Sequence, residues 1–272
     1  IEVVEVGPRD GLQNEKALIS VADKVALIEA LAAAGLKHIE LGSFVSATRV
    51  PQMADTGEVI GALGDLPGVI GTALVPNTRG LAAFLETREA VPLLGEVAVF
   101  VSATEGFSQA NLRCSVDESL GRAAAVVSGL PEGVHIRGYI SCVTDCPFEG
   151  HVAPDAVARV AERLKDLGCH TLSLGDTIGK GTPERVADML TAVLGVWPAA
   201  LLAGHFHDTV GLALENVDVA VEAGLRSFDS SVAGLGGCPY APGAPGNLAT
   251  EALLSHATAR GWETGIDGAK LA

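Results

Sequence analysis

A (β/α)₈ TIM barrel is the fold class that this sequence predicts, on three observations. Short β-rich runs alternate with amphipathic runs along the chain, the order typical of a parallel sheet with crossover helices. Eight such units can be counted, the number that closes a barrel. The first strand leads into "VGPRDG", which lacks the glycine pattern of an open nucleotide-binding sheet. We therefore expect residues 1–272 to form one α/β domain, with its active site at the C-terminal ends of the strands.

The predicted strands lie at residues 2–6, 38–43, 69–75, 96–101, 135–141, 170–174, 201–205 and 226–232. Between them, residues 153–167 and 183–194 place apolar side chains at helical spacing. Thr182 followed by Pro183 predicts where the second of these helices begins, since threonine caps a helix and proline favours its first position.

The composition excludes several classes of protein. The chain has 272 residues and a formal net charge of −15, which repels nucleic acids and anionic membrane surfaces. Five cysteines are too few, and odd in number, for a disulfide framework. No uncharged run is long enough for a membrane span. We expect a protein of the bacterial cytoplasm, with a processed organellar form as the alternative.

Polar side chains end several of the predicted strands and would meet at one rim of the barrel. They are Arg9, Asp10, Gln13 and Lys16 after the first strand, Glu40 in the second, Asp176 and Thr177 after the sixth, His205 and His207 at the seventh, and Cys238 and Asn247 after the eighth.

His205-Phe206-His207 carries the clearest signal in this set. Residues i and i+2 of a strand share a face, so both imidazoles would face the barrel axis and Phe206 the helices. With Asp10 on the same rim, they predict a site for a divalent metal such as Mg, Mn, Fe, Co or Zn. The alternative is a hydrogen-bonded histidine pair.

Arg9 and Asp10 lie in a turn shaped by neighbouring glycine and proline residues. The guanidinium of Arg9 can grip a carboxylate or a carbonyl oxygen, and Asp10 can bind metal. The alternative is a surface ion pair. Glu40 would orient Arg9, or else form an ordinary salt bridge inside the barrel.

A glycine- and proline-rich active-site loop at about residues 234–247 can close over a ligand. Cys238 lies inside it, where a thiol could transfer a proton to or from carbon. Asn247 is either a metal ligand or a helix N-cap.

Two further motifs are weaker. Cys142 and Cys146 lack a second pair at zinc-site spacing, so we interpret them as structural. The segment "GDTIGKGTP", residues 175–183, could bind a phosphate or hydroxyl group or could be a simple connection.

Six segments, in order along nearly the whole chain, resemble the 3-hydroxy-3-methylglutaryl-CoA lyase family: "VGPRDGLQNEK" (6–16), "IELGSFVSATRVPQMAD" (39–55), "RGYISCVTDCPFEG" (137–150), "SLGDTIGKGTP" (173–183), "GHFHDT" (204–209) and "AGLGGCPYAPGAPGNLATE" (233–251). This family belongs to the metal-dependent TIM-barrel lyases and synthases. The resemblance implies cleavage of 3-hydroxy-3-methylglutaryl-CoA to acetyl-CoA and acetoacetate, usually in leucine degradation, by a homodimer.

The resemblance also implies roles for individual residues. The ligands of a divalent cation, Mg²⁺ or Mn²⁺, would be Asp10, His205, His207 and Asn247. Arg9 would polarise the thioester carbonyl, Cys238 would take part in proton transfer, and Glu40 would support the site. Gln13 and Thr177, with Arg9, would contact the acyl-CoA substrate. Three alternatives stay open: a lyase for a longer 3-hydroxy-3-alkylglutaryl-CoA, a synthase that runs the condensation, and a non-catalytic barrel that binds acyl-CoA without turnover.

Overall fold

The computed structural model describes residues 1–237 and 246–271. The strands in these residues are β1 (Glu2–Glu5), β2 (His38–Ser43), β3 (Ile70–Leu74), β4 (Leu94–Ser102), β5 (His135–Ser141), β6 (Asp145–Cys146), β7 (Gly150–His151), β8 (Thr171–Asp176), β9 (Leu202–Phe206) and β10 (Ser227–Ser230). The α-helices are α1 (Val21–Ala33), α2 (Thr56–Ala62), α3 (Thr78–Ala90), α4 (Glu105–Leu112), α5 (Val116–Val127), α6 (Pro154–Asp166), α7 (Pro183–Leu194), α8 (Ala213–Glu222), α9 (Thr250–Arg260) and α10 (Gly268–Leu271).

Eight of the strands close into a parallel barrel in the order β1-β10-β9-β8-β5-β4-β3-β2. The predicted barrel is confirmed, and each predicted strand is found with its ends displaced by at most two residues. Because all eight strands run in the same direction, their C-terminal ends form one rim. The polar residues that follow them are thereby brought together.

Strands β6 and β7 form a short antiparallel hairpin after β5 that the sequence did not predict. Each strand has only two residues, which is too short for an alternating pattern to be visible. Cys142 and Cys146, at the base of this hairpin, are buried. Their structural interpretation fits this burial.

Local sequence signals determine where the helices start. The hydroxyl of Thr182 accepts a hydrogen bond from the backbone N–H of Arg185, and Pro183 occupies the first helical position, so the predicted start of α7 is confirmed. Ser115 and Glu118 form a reciprocal capping box at the start of α5, which satisfies two backbone donors that helix geometry leaves unpaired.

The apolar core lies between the outer face of the barrel and the surrounding helices. Phe206 and Phe228, on the neighbouring strands β9 and β10, are fully buried there, as expected for the face opposite His205. Val186, Met189, Leu190 and Val193 of α7 pack into the same core. This layer packs the helices against the outer face of the barrel. None of the described helices is long and apolar enough to cross a bilayer.

The inside of the barrel is unusually polar. Its buried side chains include Thr72, Glu96, Arg137, Ser173 and Asp229. Buried charges are costly unless they are paired and hydrogen-bonded, and those of Glu96, Arg137 and Asp229 all have partners. Two polar groups therefore lie inside the barrel: Glu96 with His38 and Thr72 at its lower end, and Asp229 with Arg137, Ser173 and His205 beneath the rim.

Candidate active site

The chain leaves β1 through a wide helical turn, Gly7–Gly11. The backbone N–H groups of Arg9, Asp10 and Gly11 all donate to the carbonyl of Val6. This turn ends the strand and presents the side chains of Arg9 and Asp10 at the mouth of the barrel.

Asp10, His205 and His207 meet above the barrel axis. The Nε2 atoms of the two histidines are 3.3 Å apart, and Nε2 of His205 lies 3.9 Å from Oδ2 of Asp10. One potential ligand atom from each of the three residues lies within 4.8 Å of the others. The structure thus brings together three of the four predicted metal ligands.

The electrostatics of Asp10 and His207 suit a cation, whereas the carboxylates of Asp229 and Asp10 outweigh burial and raise the pKa of His205. Burial raises the pKa of Asp10, but Arg9 and the two histidines lower it more, and the net value is about 2. Burial and the neighbouring His205 lower the pKa of His207 to about 4. At neutral pH, the cluster therefore presents a carboxylate and an uncharged His207 imidazole.

The second nitrogen of His205 has a partner of its own. Nδ1 of His205 lies 3.0 Å from Oδ2 of Asp229 on the adjacent strand β10. An Nδ1–H held by a carboxylate leaves the lone pair on Nε2, which points into the cluster. Two imidazole nitrogens and a carboxylate oxygen, without thiolates, form a donor set that fits a divalent ion of the Mg, Mn, Fe, Co or Zn type.

Asn247 lies beside this cluster. Its Nδ2 donates to Oδ2 of Asp10 at 2.9 Å and to the backbone carbonyl of Leu235 at 3.1 Å. The backbone of Asn247 also forms an isolated β-bridge with that of His207. Helix α9 begins only at Thr250, and its N-cap residue is Ala249. The helix-cap interpretation of Asn247 is therefore wrong.

Arg9 is held between carboxylates and an aromatic ring. Its Nη1 donates to Oδ1 of Asp10 at 2.8 Å, and its Nε is 2.8 Å from Oε2 of Glu40. The guanidinium also lies over the ring of Tyr139, 5.8 Å from the centroid. Glu40 contacts Arg9 as predicted, and the alternative of a surface ion pair for Arg9 is wrong because Arg9 is 8% exposed.

Gln13 and Thr177, the other predicted contacts of the substrate, both line the cavity beside the cluster. Nε2 of Gln13 donates to Oδ1 of Asp10 at 3.2 Å. The hydroxyl of Thr177 accepts from the backbone N–H of Cys142 at 2.8 Å. Gln13 is thus hydrogen-bonded to the cluster, while Thr177 is hydrogen-bonded to the backbone that follows β5.

The side chain of Asp176 occupies the inside of the loop that follows β8. Asp176 is fully buried and accepts hydrogen bonds from the backbone N–H of Gly181 at 2.8 Å and from the hydroxyl of Thr144 at 2.9 Å. These contacts favour a structural connection over a phosphate-binding loop for residues 175–183, because a side chain already occupies a backbone donor.

Three buried residues of the site were missed in the sequence: Arg137, Tyr139 and Asp229. All three lie inside strands rather than at strand ends. Arg137 and Tyr139 are two residues apart, so they share the inner face of β5. Polar side chains at same-face spacing, as for Arg137 and Tyr139, and a charged residue inside a predicted strand, as for Asp229, were the signals that could have identified them.

A cavity of about 1480 Å³ opens from the cluster across the C-terminal rim. Its wall includes four residues of the site and four exposed arginines: Arg9, Asp10, His205 and His207, and Arg49, Arg79, Arg113 and Arg122. The space is large enough for a substrate with a long anionic carrier group.

Cys238 and most of the glycine- and proline-rich loop lie outside the described residues. Lys16, which was placed near the rim from the sequence, is exposed.

The HMGL-like family model matches residues 1–272. A relative from Pseudomonas mevalonii, named hydroxymethylglutaryl-CoA lyase, is 53% identical over 270 residues, which cover 98% of this chain and 87% of the relative. A Pseudomonas aeruginosa relative, named 3-hydroxy-3-isohexenylglutaryl-CoA/hydroxy-methylglutaryl-CoA lyase, is 50% identical over 98% of this chain and 88% of its own length.

Among solved structures, the HMG-CoA lyase from Brucella melitensis is similar to this chain with a TM-score of 0.95 and 51% sequence identity. The superposition covers 100% of this chain and 94% of that structure. The similarity therefore extends over the barrel and the rim that carries the cluster.

Proposed function

The chain belongs to the HMGL-like family, and on this premise we propose that it is a carbon–carbon lyase that cleaves 3-hydroxy-3-methylglutaryl-CoA to acetyl-CoA and acetoacetate. The observation that carries the proposal is the meeting of Asp10, His205 and His207 directly beside the buried guanidinium of Arg9. This arrangement supplies the two functions that a retro-Claisen cleavage needs: activation of a hydroxyl and stabilisation of an enolate.

We assign Asp10, His205, His207 and Asn247 as ligands of Mg²⁺ or Mn²⁺. A divalent ion bound there would supply a Lewis acid that lowers the pKa of the tertiary hydroxyl of the substrate. The hydroxyl proton must pass to a base in the same site, and Asp10 and His205 are the candidate acceptors. For Asn247, the amide oxygen is the ligand atom, because its nitrogen can only donate.

Cleavage breaks the bond between C2 and C3 of the substrate. The hydroxyl carbon, C3, becomes the ketone of acetoacetate, and the bonding electrons move into the thioester as an enolate of acetyl-CoA. Arg9 is the cation that meets the developing negative charge on the thioester oxygen. Glu40 and Tyr139 hold the guanidinium in this position, so it does not have to reorganise during the reaction.

The C2 carbon of the enolate then takes up a proton to give the methyl group of acetyl-CoA. We propose Cys238 as the donor, on the loop that follows β10. A thiol is suited to this step because its pKa lies near the working pH range.

The carrier group fits the charge of the cavity wall. The whole chain carries a net charge of −15, yet Arg49, Arg79, Arg113 and Arg122 line the same cavity as the cluster. Guanidinium groups bind phosphates well. The phosphates of coenzyme A are therefore attracted to these arginines of an otherwise acidic protein, which favours an acyl-CoA thioester as the substrate.

The proposal is tested by turnover. Protein stripped with EDTA is incubated with 3-hydroxy-3-methylglutaryl-CoA, with and without Mg²⁺ or Mn²⁺, and acetoacetate is measured. Acetoacetate that forms only with added metal is the expected result. Binding of the substrate without any product would contradict the proposal and favour a non-catalytic acyl-CoA-binding barrel.

A second candidate is a lyase that also accepts a longer 3-hydroxy-3-alkylglutaryl-CoA. The P. aeruginosa relative is named for both a methyl and an isohexenyl substrate, and the cavity of about 1480 Å³ has room for a longer chain. Comparing kcat/KM for the two substrates decides between them. The homodimer and the cytoplasmic location stay predictions.

A further inference from the structure

Asp229 is buried inside the barrel, where it contacts three other polar side chains. Nη2 of Arg137 donates to its Oδ1 at 2.6 Å. Its Oδ2 accepts from the hydroxyl of Ser173 at 2.7 Å and lies 3.0 Å from Nδ1 of His205. Asp229 and Arg137 are 3% and 2% exposed, so water does not compete for these contacts.

We propose that Asp229 is a positioning residue that fixes His205 as the Nδ1–H tautomer, and that Arg137 determines which oxygen of Asp229 does so. The inference deepens the proposed function, because it rests on His205 being a metal ligand through Nε2. Asp229 itself does not line the cavity, and its hydrogen-bond partner in the cluster is His205, so its effect on the cluster passes through His205.

The strand register supports this assignment. Asp229 of β10 is paired directly with His205 of β9, and neighbouring residues in adjacent parallel strands present their side chains on the same face. Ser173, on β8, approaches the same carboxylate oxygen from the other side of β9. The carboxylate is thus held by three different strands, β5, β8 and β9, and cannot rotate freely.

Stability alone does not account for these buried charges. Replacing a buried ion pair with apolar groups of similar volume is often neutral or stabilising, because burying charges is costly. The barrel has apolar positions nearby, where Leu74, Ala98 and Tyr139 pack together. A charged pair at this depth, aimed at one nitrogen of a rim histidine, is better explained by control of that histidine.

The donor pattern makes a sharp prediction for Asp229→Asn. Arg137 can only donate, so the amide oxygen of the new side chain must face Arg137. The amide nitrogen then faces Nδ1 of His205 and donates to it. The ring proton is forced onto Nε2, and the lone pair that would bind metal is lost. An equivalent exchange beside a catalytic histidine is known to select the wrong tautomer while leaving the geometry intact.

The experiment uses two readouts that do not depend on turnover. The tautomer of His205 is determined by ¹⁵N NMR of the metal-free protein, at a pH where the ring is neutral, with a His205→Gln spectrum for assignment. The affinity for Mn²⁺ is determined by EPR titration of the same protein. We expect Nδ1–H in the wild type, Nε2–H in Asp229→Asn, and an affinity lowered by about 10- to 100-fold in the variant.

Two further variants separate positioning from folding. Ser173→Ala removes a hydrogen bond from the same oxygen but leaves the acceptor in place, so it should keep the Nδ1–H tautomer and lose far less affinity. Adding Arg137→Met to Asp229→Asn frees the amide to turn its oxygen towards His205. The double variant should regain the Nδ1–H tautomer and part of the affinity, which a purely structural defect would not do.

The inference is overturned if Asp229→Asn keeps the Nδ1–H tautomer, or if it binds Mn²⁺ as tightly as the wild type. A wild type that binds no Mn²⁺ would contradict the proposed metal site instead, and the tautomer measurement would still decide the role of Asp229. Thermal unfolding monitored by circular dichroism identifies any variant that does not fold.

Discussion

Nε of Arg9 lies 2.8 Å from Oε2 of Glu40 inside the mouth of the barrel, where the two side chains are 9% and 0% exposed. The short separation and the burial give Arg9 one orientation. A cation held in this way can stabilise charge that develops in a transition state without first having to reorganise. Glu40, a residue of strand β2, therefore holds Arg9 in position for the proposed stabilisation of the enolate.

Arg9→Gln should lower kcat by about 10²–10³-fold, the typical cost of removing a preorganised group that stabilises an oxyanion. KM and the affinity for Mn²⁺ should change much less. Glu40→Gln serves as a graded comparison, since it keeps Arg9 but loosens its position. Its kcat should fall between that of the wild type and that of Arg9→Gln. Steady-state kinetics measure both. A large increase in KM with normal kcat would contradict the enolate role and indicate simple substrate binding.

His207→Ala should abolish metal-dependent turnover and weaken Mn²⁺ binding by more than about 100-fold, because loss of a supporting contact alone costs 10–100-fold. The matched control is His151→Ala, which removes an exposed histidine of the β6–β7 hairpin that does not line the cavity. EPR titration and the acetoacetate assay measure the two effects. Equal loss in both variants would show that the assignment of His207 is wrong.

The sequence alone predicted the fold and the three residues of the cluster. Alternating strand and helix patterns predicted all eight barrel strands, because a parallel barrel repeats one simple unit. The rule that strand ends carry the chemistry then brought Asp10, His205 and His207 together. The HxH spacing predicted a shared face, and the structure confirms it with Nε2 atoms 3.3 Å apart.

The support beneath the cluster could not be predicted in the same way. Asp229 and Arg137 come from β10 and β5, which are not adjacent in the barrel, so their contact depends on side-chain reach across the interior. The two-residue strands β6 and β7 are too short to produce a periodic pattern. For Asn247, a helix cap and a metal ligand would use the same side chain, and only the start of α9 at Thr250 excludes the cap.

Gly236→Ala should disturb the cluster from the backbone. Gly236 has a φ of +92°, and an added Cβ would lie 2.8 Å from the carbonyl oxygen of Asp10 and 2.9 Å from Nδ2 of Asn247. We expect weaker Mn²⁺ binding together with a loss of about 1–3 kcal/mol in the free energy of unfolding. Gly261→Ala is the control, since it has a φ of +73° but open space around it. If both variants bind Mn²⁺ equally, the close packing at Gly236 does not support the site.

Cys238→Ala should leave Mn²⁺ binding unchanged and reduce kcat steeply, because a proton donor acts after the metal has bound. The control is Cys114→Ala, which removes a buried thiol that does not line the cavity. Turnover in D₂O separates the proton-transfer step from the others, since a solvent isotope effect should appear or increase in the variant. Wild-type turnover in Cys238→Ala would eliminate this role.

The lower end of the barrel should make stability depend on pH. His38 lies there, with Nε2 2.8 Å from Oε1 of Glu96 and Nδ1 3.5 Å from Oε1 of Glu2. Burial and Arg137 lower the pKa of His38, but hydrogen bonds and the charge of the carboxylates raise it more, to about 9. Glu96 also contacts Nδ1 of His135 at 2.6 Å, and burial of Glu96 is outweighed by its two histidine partners, so its pKa is lowered.

A histidine whose pKa is higher in the folded state than in the unfolded state stabilises the fold while it is protonated. The contribution of His38 should be complete below pH ~6.5 and lost as the pH rises to about 9, a decrease of at most about 3 kcal/mol in the free energy of unfolding. Glu96 acts in the opposite sense, because its lowered pKa removes stability only as the pH falls below the value for an unfolded glutamate.

Urea unfolding between pH 6 and 9 measures the alkaline decrease. His38→Gln should flatten that profile, whereas His151→Gln, in the exposed hairpin, should not. An unchanged profile in His38→Gln would assign the pH dependence to another group.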